Sequence, residues 1–161
     1  MEIPKERLEI VRAEAKRSYA AIGPLFCPYL NDTVHFRNDG FEHLIFKRKD
    51  KPRPPVEQYT RLRMLPLAEE VIRKSHTLQE HSQQITTIRQ QSAGRWEKRN
   101  KVVNYYVFVA IIRPRVRIKV VVREIEGGTK HFYSLFPSWR VETDANGKLT
   151  KALYSDDPAD L

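Results

Sequence analysis

The stretch Val116-Arg117-Ile118-Lys119-Val120-Val121-Val122-Arg123-Glu124-Ile125, followed by Glu126-Gly127-Gly128 and by His131-Phe132-Tyr133-Ser134-Leu135-Phe136, decides the fold class of this chain. Val116, Ile118, Val120 and Val122 alternate with Arg117, Lys119 and, beyond Val121, Arg123. A strand turns successive side chains to opposite faces, so this strand has one apolar face and one carrying cations. The glycine pair reverses the chain into a second strand at 130–136, which makes an antiparallel hairpin. A two-residue turn at Gly127-Gly128 would pair Arg123 with Phe132 and put His131 on the opposite face, beside Glu124. A three-residue loop of Glu126-Gly127-Gly128, with Gly128 left-handed, pairs Arg123 with His131 instead. The second register is favoured because glycine at the bulge position is the usual three-residue solution. It puts Lys119, Arg123 and His131 on one face and Ser134 on the other.

Upstream, Tyr105 to Ile112 is apolar without alternation, which predicts a central strand over about 102–112 buried on both faces. Gln84 to Arg89 reads as a further strand and the charged residues 94–101 as a loop. Leu8, Val11, Ala15 and Tyr19 recur at helical spacing over 5–21, and Gly23-Pro24 ends that helix. Tyr59, Leu62, Leu65, Ala68, Val71 and Ile72 give a second helix over 56–74, with Pro66 as a possible break point. Between them, Asn38-Asp39-Gly40 is a turn signal before a short helix that carries His43. Residues 47–55 hold Lys47, Arg48, Lys49, Lys51 and Arg53 with three prolines, and read as an exposed basic loop. The fold class is therefore α+β, with N-terminal helices packed on a C-terminal antiparallel β-meander. The expected organisation is a helical extension at 1–27, a main domain at 28–154 and an acidic, frayed tail at 155–161.

Composition narrows the partner. Twenty-nine Lys and Arg against 20 Asp and Glu give a formal charge of +9, which favours an acidic partner such as nucleic acid. Charged residues are 30% and hydrophobic ones 40% of the chain, too balanced for a disordered polymer, and no apolar run is long enough to span a bilayer. Cys27 is the only cysteine, so no internal disulfide forms, and residues 1–7 lack an apolar signal core. A cytoplasmic location is expected.

Phosphate-cradling glycine loops, nucleophile elbows and cysteine pairs are absent. His35 and His43 are eight apart and His76 and His81 five apart, which misses the i, i+4 spacing of a helical metal pair. No metal or cofactor is expected. The remaining inventory is Lys119 and Arg123 on one strand, His131 on the next and His43 on a neighbouring helix. Cleaving RNA without metal needs a group to take the 2′-OH proton, one to protonate the 5′ oxygen, and cations for the charge of the phosphorane-like transition state. Each residue also has a plainer explanation, since cations alternating with valines often mark a solvated face and a lone histidine often only packs.

Val120-Val121-Val122-Arg123-Glu124-Ile125-Glu126-Gly127-Gly128 with His131-Phe132-Tyr133-Ser134-Leu135-Phe136-Pro137-Ser138-Trp139 resembles the VVRxIGxG…HFxSVxPxW pattern of phage and bacterial toxin-like proteins. These are assigned to the barnase, EndoU, colicin and RelE-like ribonuclease superfamily. Asn31 to Phe36, Gly40 to Ile45 and Arg61 to Pro66 resemble the same group, so the likeness spans roughly 28–140. Glu126-Gly127-Gly128 stands where the pattern more often has Gly-x-Gly. The resemblance implies a barnase/RelE-like fold and metal-independent RNA cleavage. By position, His43 matches the group's helical histidine, Arg123 its strand arginine, and His131 and Ser134 polar positions of the last strand.

The resulting expectation is a toxin-like endoribonuclease that leaves a 2′,3′-cyclic phosphate. Its catalytic set is His43, Lys119, Arg123, His131 and Ser134, with Lys47, Lys49, Lys51, Arg53, Tyr133 and Trp139 holding RNA. tRNA is a candidate substrate, a cognate antitoxin or immunity protein a candidate partner, and a membrane is not one. The alternatives are a non-catalytic RNA- or DNA-binding protein of a mobile element, and an accessory protein whose charge serves solubility.

Overall fold

A computed structural model describes residues 2–113, 116–137 and 140–152. Trp139 and the 155–161 tail lie outside these residues. The described chain runs α1 (Lys5–Ala21), β1 (Leu25–Cys27), β2 (Asp32–His35), α2 (Asn38–Ile45), β3 (Phe46–Arg48), β4 (Lys51–Pro52), α3 (Pro55–Lys74), β5 (Glu80–Ser92), β6 (Arg95–Arg113), β7 (Val116–Ile125), β8 (Lys130–Pro137), β9 (Arg140–Thr143) and β10 (Leu149–Ala152). The fold is α+β: helices from the N-terminal half back a six-stranded sheet of order β1-β2-β8-β7-β6-β5. The meander β5 to β8 is antiparallel, as expected. The first half adds an edge, because β2 joins β8 in parallel.

α3 starts with Pro55 at its first turn, where the missing N–H costs no hydrogen bond, and ends on Arg73 and Lys74, whose charge suits a helix C-terminus. It runs unbroken through Pro66. Pro66 is exposed, while Leu62, Leu65 and Ala68 around it are anchored in the core and hold the helix together across it. Phe108, Ile118, Val120, Val122, Phe132 and Leu135 supply the sheet's half of that core, and α1 adds Leu8, Ala15 and Tyr19. Each such side chain contributes about 1.5–3 kcal/mol on burial.

Four local expectations are corrected. Asn38-Asp39-Gly40 is the first turn of α2 and not a separate turn: the Gly40 N–H bonds the Arg37 carbonyl at 3.1 Å and Asp39 Oδ1 at 3.1 Å. Residues 47–55 are not a loop throughout, since β3 and β4 form a minimal hairpin turned by Asp50 at φ 62°. Residues 94–101 are strand. Ala93 and Gly94, both at positive φ, close a two-residue turn, and Arg95 leads directly into β6. Finally, β6 is not buried on both faces along the apolar run: Phe108 is inside, whereas Ile111 on the opposite face is 65% exposed. Among the described residues no helix is long and apolar enough to cross a membrane.

Candidate nucleic-acid site

The β7–β8 hairpin takes the three-residue register, with Glu124 opposite Lys130 and Arg123 opposite His131. The left-handed residue of its loop is Gly127, at φ 76°, and not Gly128; the Gly128 N–H closes the turn on the Ile125 carbonyl at 2.7 Å. Two residues along, the pairing passes from Val122–Phe132 to Val121–Ser134, so Tyr133 is the extra residue of a bulge. The slip has a consequence for Ser134. It lies across from Val121, on the same alternation as Lys119 and Arg123, and not on the opposite face as a regular strand would put it.

Strand pairing also builds a row that no single segment displays. His35 of β2 is the partner of His131, His131 of Arg123, and Arg123 of Tyr105 on β6. Paired residues share a face, so His35, His131, Arg123 and Tyr105 stand side by side on the face away from the Phe108, Val120 and Val122 core. Lys130, one residue before His131, holds Asp32 at 2.8 Å and Glu124 at 2.7 Å and so ties β2 to β8 and β7.

α2 closes one end of this row. A Cβ on Gly40 would lie 2.5 Å from the Phe132 carbonyl oxygen and 2.6 Å from the Tyr19 hydroxyl, so only glycine lets the helix sit this close to β8. His43 follows three residues later on the same helical side. Its ring lies on Tyr133, with centroids 4.3 Å apart, and Tyr105 meets Tyr133 edge-on at 5.4 Å. The Arg123 guanidinium sits over both tyrosines, 5.8 Å from the Tyr105 centroid and 5.4 Å from that of Tyr133.

A second layer supports the first. Arg61, buried on α3, donates to Ser134 Oγ at 3.2 Å and to the Leu135 carbonyl at 2.6 Å. Arg53 turns inward and donates from Nε to the His43 carbonyl at 3.1 Å, with Glu57 at 3.5 Å. Its side chain is 9% exposed, so the structure makes it a strut under α2 and not a surface cation. A cleft of about 340 Å³ opens beside His43, bounded by Asp39 and Glu42 of α2 and by Phe46, Arg48 and Lys49 of the basic hairpin. An equal groove between α1 and α3, floored by Val11, Ala15, Leu62 and Leu65, lies apart from the row and holds no histidine.

The electrostatics follow from this crowding. Burial, then the cations Arg53, Arg61 and Arg123, bring the His43 pKa down to about 4. Burial and Arg37 also lower that of His131, against the opposing pull of Asp39, whose carboxylate is 3.8 Å from Nε2. Both imidazoles are therefore neutral at pH 7. Burial lowers the Arg61 pKa to about 10, which leaves it charged, and raises that of the Tyr133 phenol, which keeps its proton. Among the described residues, four buried side-chain polar atoms lack a protein partner: His43 Nδ1, Arg123 Nε, His131 Nε2 and Thr60 Oγ1. Three of the four belong to this one cluster. Native proteins pair almost all such atoms, so orphans gathered beside cations are unusual.

Compared with known protein families, curated proteins and solved structures, the chain has no significant match.

Of the expected catalytic residues, His43, Arg123, His131 and Ser134 are brought together. Lys119 is not: it lies four residues from Arg123, about 13 Å at roughly 3.3 Å per residue, and pairs with Glu80 at 2.7 Å. His131 is only 1% exposed, so it is a buried member of the row. Tyr133 packs against His43 with the rings tilted by 32°, so its ring is not bare for a substrate base. Lys47 leans on Glu57 at 3.6 Å, and Lys49 and Lys51 are exposed on the hairpin. His35, Tyr105, Asp39 and Arg61 escape the sequence reading. Arg61 had one visible signal: at helical spacing it falls beside Gln58, Leu62 and Leu65 on the buried side of α3, an unusual address for an arginine.

Proposed function

We propose that this protein is a metal-independent endoribonuclease, acting in the cytoplasm on single-stranded or looped RNA, with tRNA among the candidate substrates. The observation that carries the reading is the convergence of the unpartnered His43, Arg123 and His131 nitrogens beside Arg61. A neutral His43 is in the right form to take the 2′-OH proton. As the 2′ oxygen bonds to phosphorus and the bond to the 5′ oxygen breaks, Arg123 stabilises the added negative charge, and Ser134, held by Arg61, orients a phosphate oxygen. Tyr133, which keeps its proton, protonates the departing 5′ oxygen, an alkoxide more basic than a phenolate. Solvent then returns a proton to Tyr133 and removes the one on His43. The products are a 2′,3′-cyclic phosphate and a 5′-OH end. This mechanism fits the ribonuclease superfamily that 120–139 resembles, and a cognate antitoxin or immunity protein is the partner such an activity would require.

One observation favours a second reading, RNA binding without cleavage: both clustered histidines are held in the neutral form, so neither begins as a proton donor. Incubating the purified protein with total RNA and tRNA in excess EDTA separates the two. The expected result is discrete fragments ending in 2′,3′-cyclic phosphate, with cutting abolished by 2′-deoxy substitution at the cleaved nucleotide. Efficient cutting of DNA, or strict dependence on added divalent metal, excludes the mechanism, and tight binding with intact RNA favours the second reading.

A further inference from the structure

β7 ends opposite Val103, and beyond that point β6 is paired with β5 alone. The eight pairs from Ile85–Val102 to Ser92–Arg95 form a two-stranded ribbon that extends about 24 Å from the sheet at roughly 3.4 Å per residue. None of its residues is buried, and Ile85 and Trp96 are 78% and 63% exposed. A free two-stranded ribbon is marginal in water. This one is held by the Ala93-Gly94 turn, the Thr87–Asn100 hydrogen bond at 2.9 Å, and Arg89 over the Trp96 ring at 5.6 Å.

The ribbon's composition identifies its occupant. Arg89, Arg95, Lys98, Arg99 and Lys101 against Glu97 give five cations and one carboxylate, a net +4 over residues 84–102. Lys101, Arg99 and Arg95 fall on the alternation of Tyr105 and Val103, so they continue outward along β6 from the face that holds Arg123. The two faces of the ribbon are also unequal: Trp96 stands with Arg89 and Lys98 on the other one. Cations spaced along one face, with an exposed aromatic on the other close to the ribbon's tip, match a single-stranded nucleic acid, whose phosphates want charge and whose unpaired bases want a stacking surface.

We propose that the β5–β6 ribbon is an RNA-binding arm that holds single-stranded RNA flanking the nucleotide at the Arg123 row, through phosphate contacts from Arg95, Arg99 and Lys101 on the face continuous with that row and, where the strand rounds the Ala93-Gly94 tip, base stacking on Trp96 of the opposite face. The inference rests on the RNA-handling reading of that row and names where the rest of the strand lies. It is independent of whether the row cuts.

Fluorescence anisotropy of a labelled single-stranded RNA of about 15 nucleotides, read from 0.05 to 1 M salt with the full-length protein, tests it. Replacing Arg95, Arg99 and Lys101 together by Gln is expected to reduce the slope of log affinity against log salt by up to about 2, from roughly 0.7 per contact. At 0.15 M salt that is a loss of roughly 50-fold, closing toward zero at 1 M. Trp96→Ala is expected to weaken binding roughly tenfold with the slope unchanged. Lysine at Arg95 and Arg99 keeps the charge and is expected to hold the slope, which separates lost charge from a damaged ribbon. Superimposable curves for wild type and the Gln variant overturn the proposal. So does a change in self-association of the free protein with RNA affinity intact, which would assign the ribbon edges to a second copy of the chain. RNA bound through an arm-dependent slope but never cut supports the arm and removes the ribonuclease reading. Cutting with arm-independent binding supports the ribonuclease and removes the arm.

Discussion

The Arg123 row and the β5–β6 ribbon lie on the same sheet and are built on opposite principles. The row is backed by the core, closed by α2 and braced by Arg53 and Arg61, so that three polar nitrogens remain buried without a partner. The ribbon has no backing layer, and its cations and its tryptophan face water. Burial sets the electrostatics of the first region: it strips water from His43 and lowers its pKa to about 4. In the second, charge is screened, salt-sensitive and adaptable. Rigid support in the row and loose support in the ribbon is the contrast that variants can break.

The largest expected effect is on the backed side. Phe132 stacks on Phe36 with centroids 5.1 Å apart and is fully buried under α2. Phe132→Ala should cost about 3–5 kcal/mol in chemical denaturation. An effect under 1 kcal/mol would mean that α2 is not seated on β8 as described. Next comes Arg123→Ala, expected to slow RNA cleavage by roughly 10²-fold or more, the scale of losing a transition-state charge partner, while the midpoint of thermal unfolding moves little. Arg123 is one of the cations lowering the His43 pKa, so the same variant should move the His43 titration upward in NMR. An unmoved titration would separate the two residues.

Gly40→Ala replaces glycine by a better helix former yet drives a methyl group into the Phe132 carbonyl. We expect a net loss of about 1–3 kcal/mol, because the backbone and not a flexible side chain must yield. A gain in stability would show that α2 can lift away without cost.

The pH dependence is of similar size. The folded chain holds the His43 pKa near 4 against an ordinary 6.5, so between these values the unfolded chain binds more protons. Stability therefore rises with pH through that window, and falls by about 1–3 kcal/mol as pH is lowered from 6.5 toward 4. His131 acts in the same direction. His43→Gln should flatten much of this slope in urea titrations at pH 4.5 and pH 7. If His43 is the base, the acid limb of kcat/KM should lie near 4, and a limb near 6.5 would point to another histidine.

On the unbacked side the expected effect on stability is the smallest. Trp96→Ala and the Gln replacements at Arg95, Arg99 and Lys101 touch no core residue and should shift stability by under about 0.5 kcal/mol. A large shift would mean that the ribbon packs against the body of the protein after all.

The sequence by itself determined the elements whose period is written locally. Residues 5–21 and 56–74 repeat at helical spacing, 116–122 alternates, and the Glu126-Gly127-Gly128 loop selected the register that pairs Arg123 with His131. The overall +9 charge was equally plain. Local period failed where burial was absent: 94–101 has no apolar alternation because its strand faces water on both sides, so it resembled a loop until the Ala93-Gly94 turn was seen to zip it to β5. Only the tertiary structure decided the site. The parallel β2–β8 contact that sets His35 beside His131, the bulge that returns Ser134 to the Arg123 alternation, the Gly40 seat that lowers His43 onto Tyr133, and the reach of Arg61 from α3 all join residues far apart in the chain. Such pairings are selected by the packing of whole elements against one another, and no short stretch of sequence carries a periodicity that reports them.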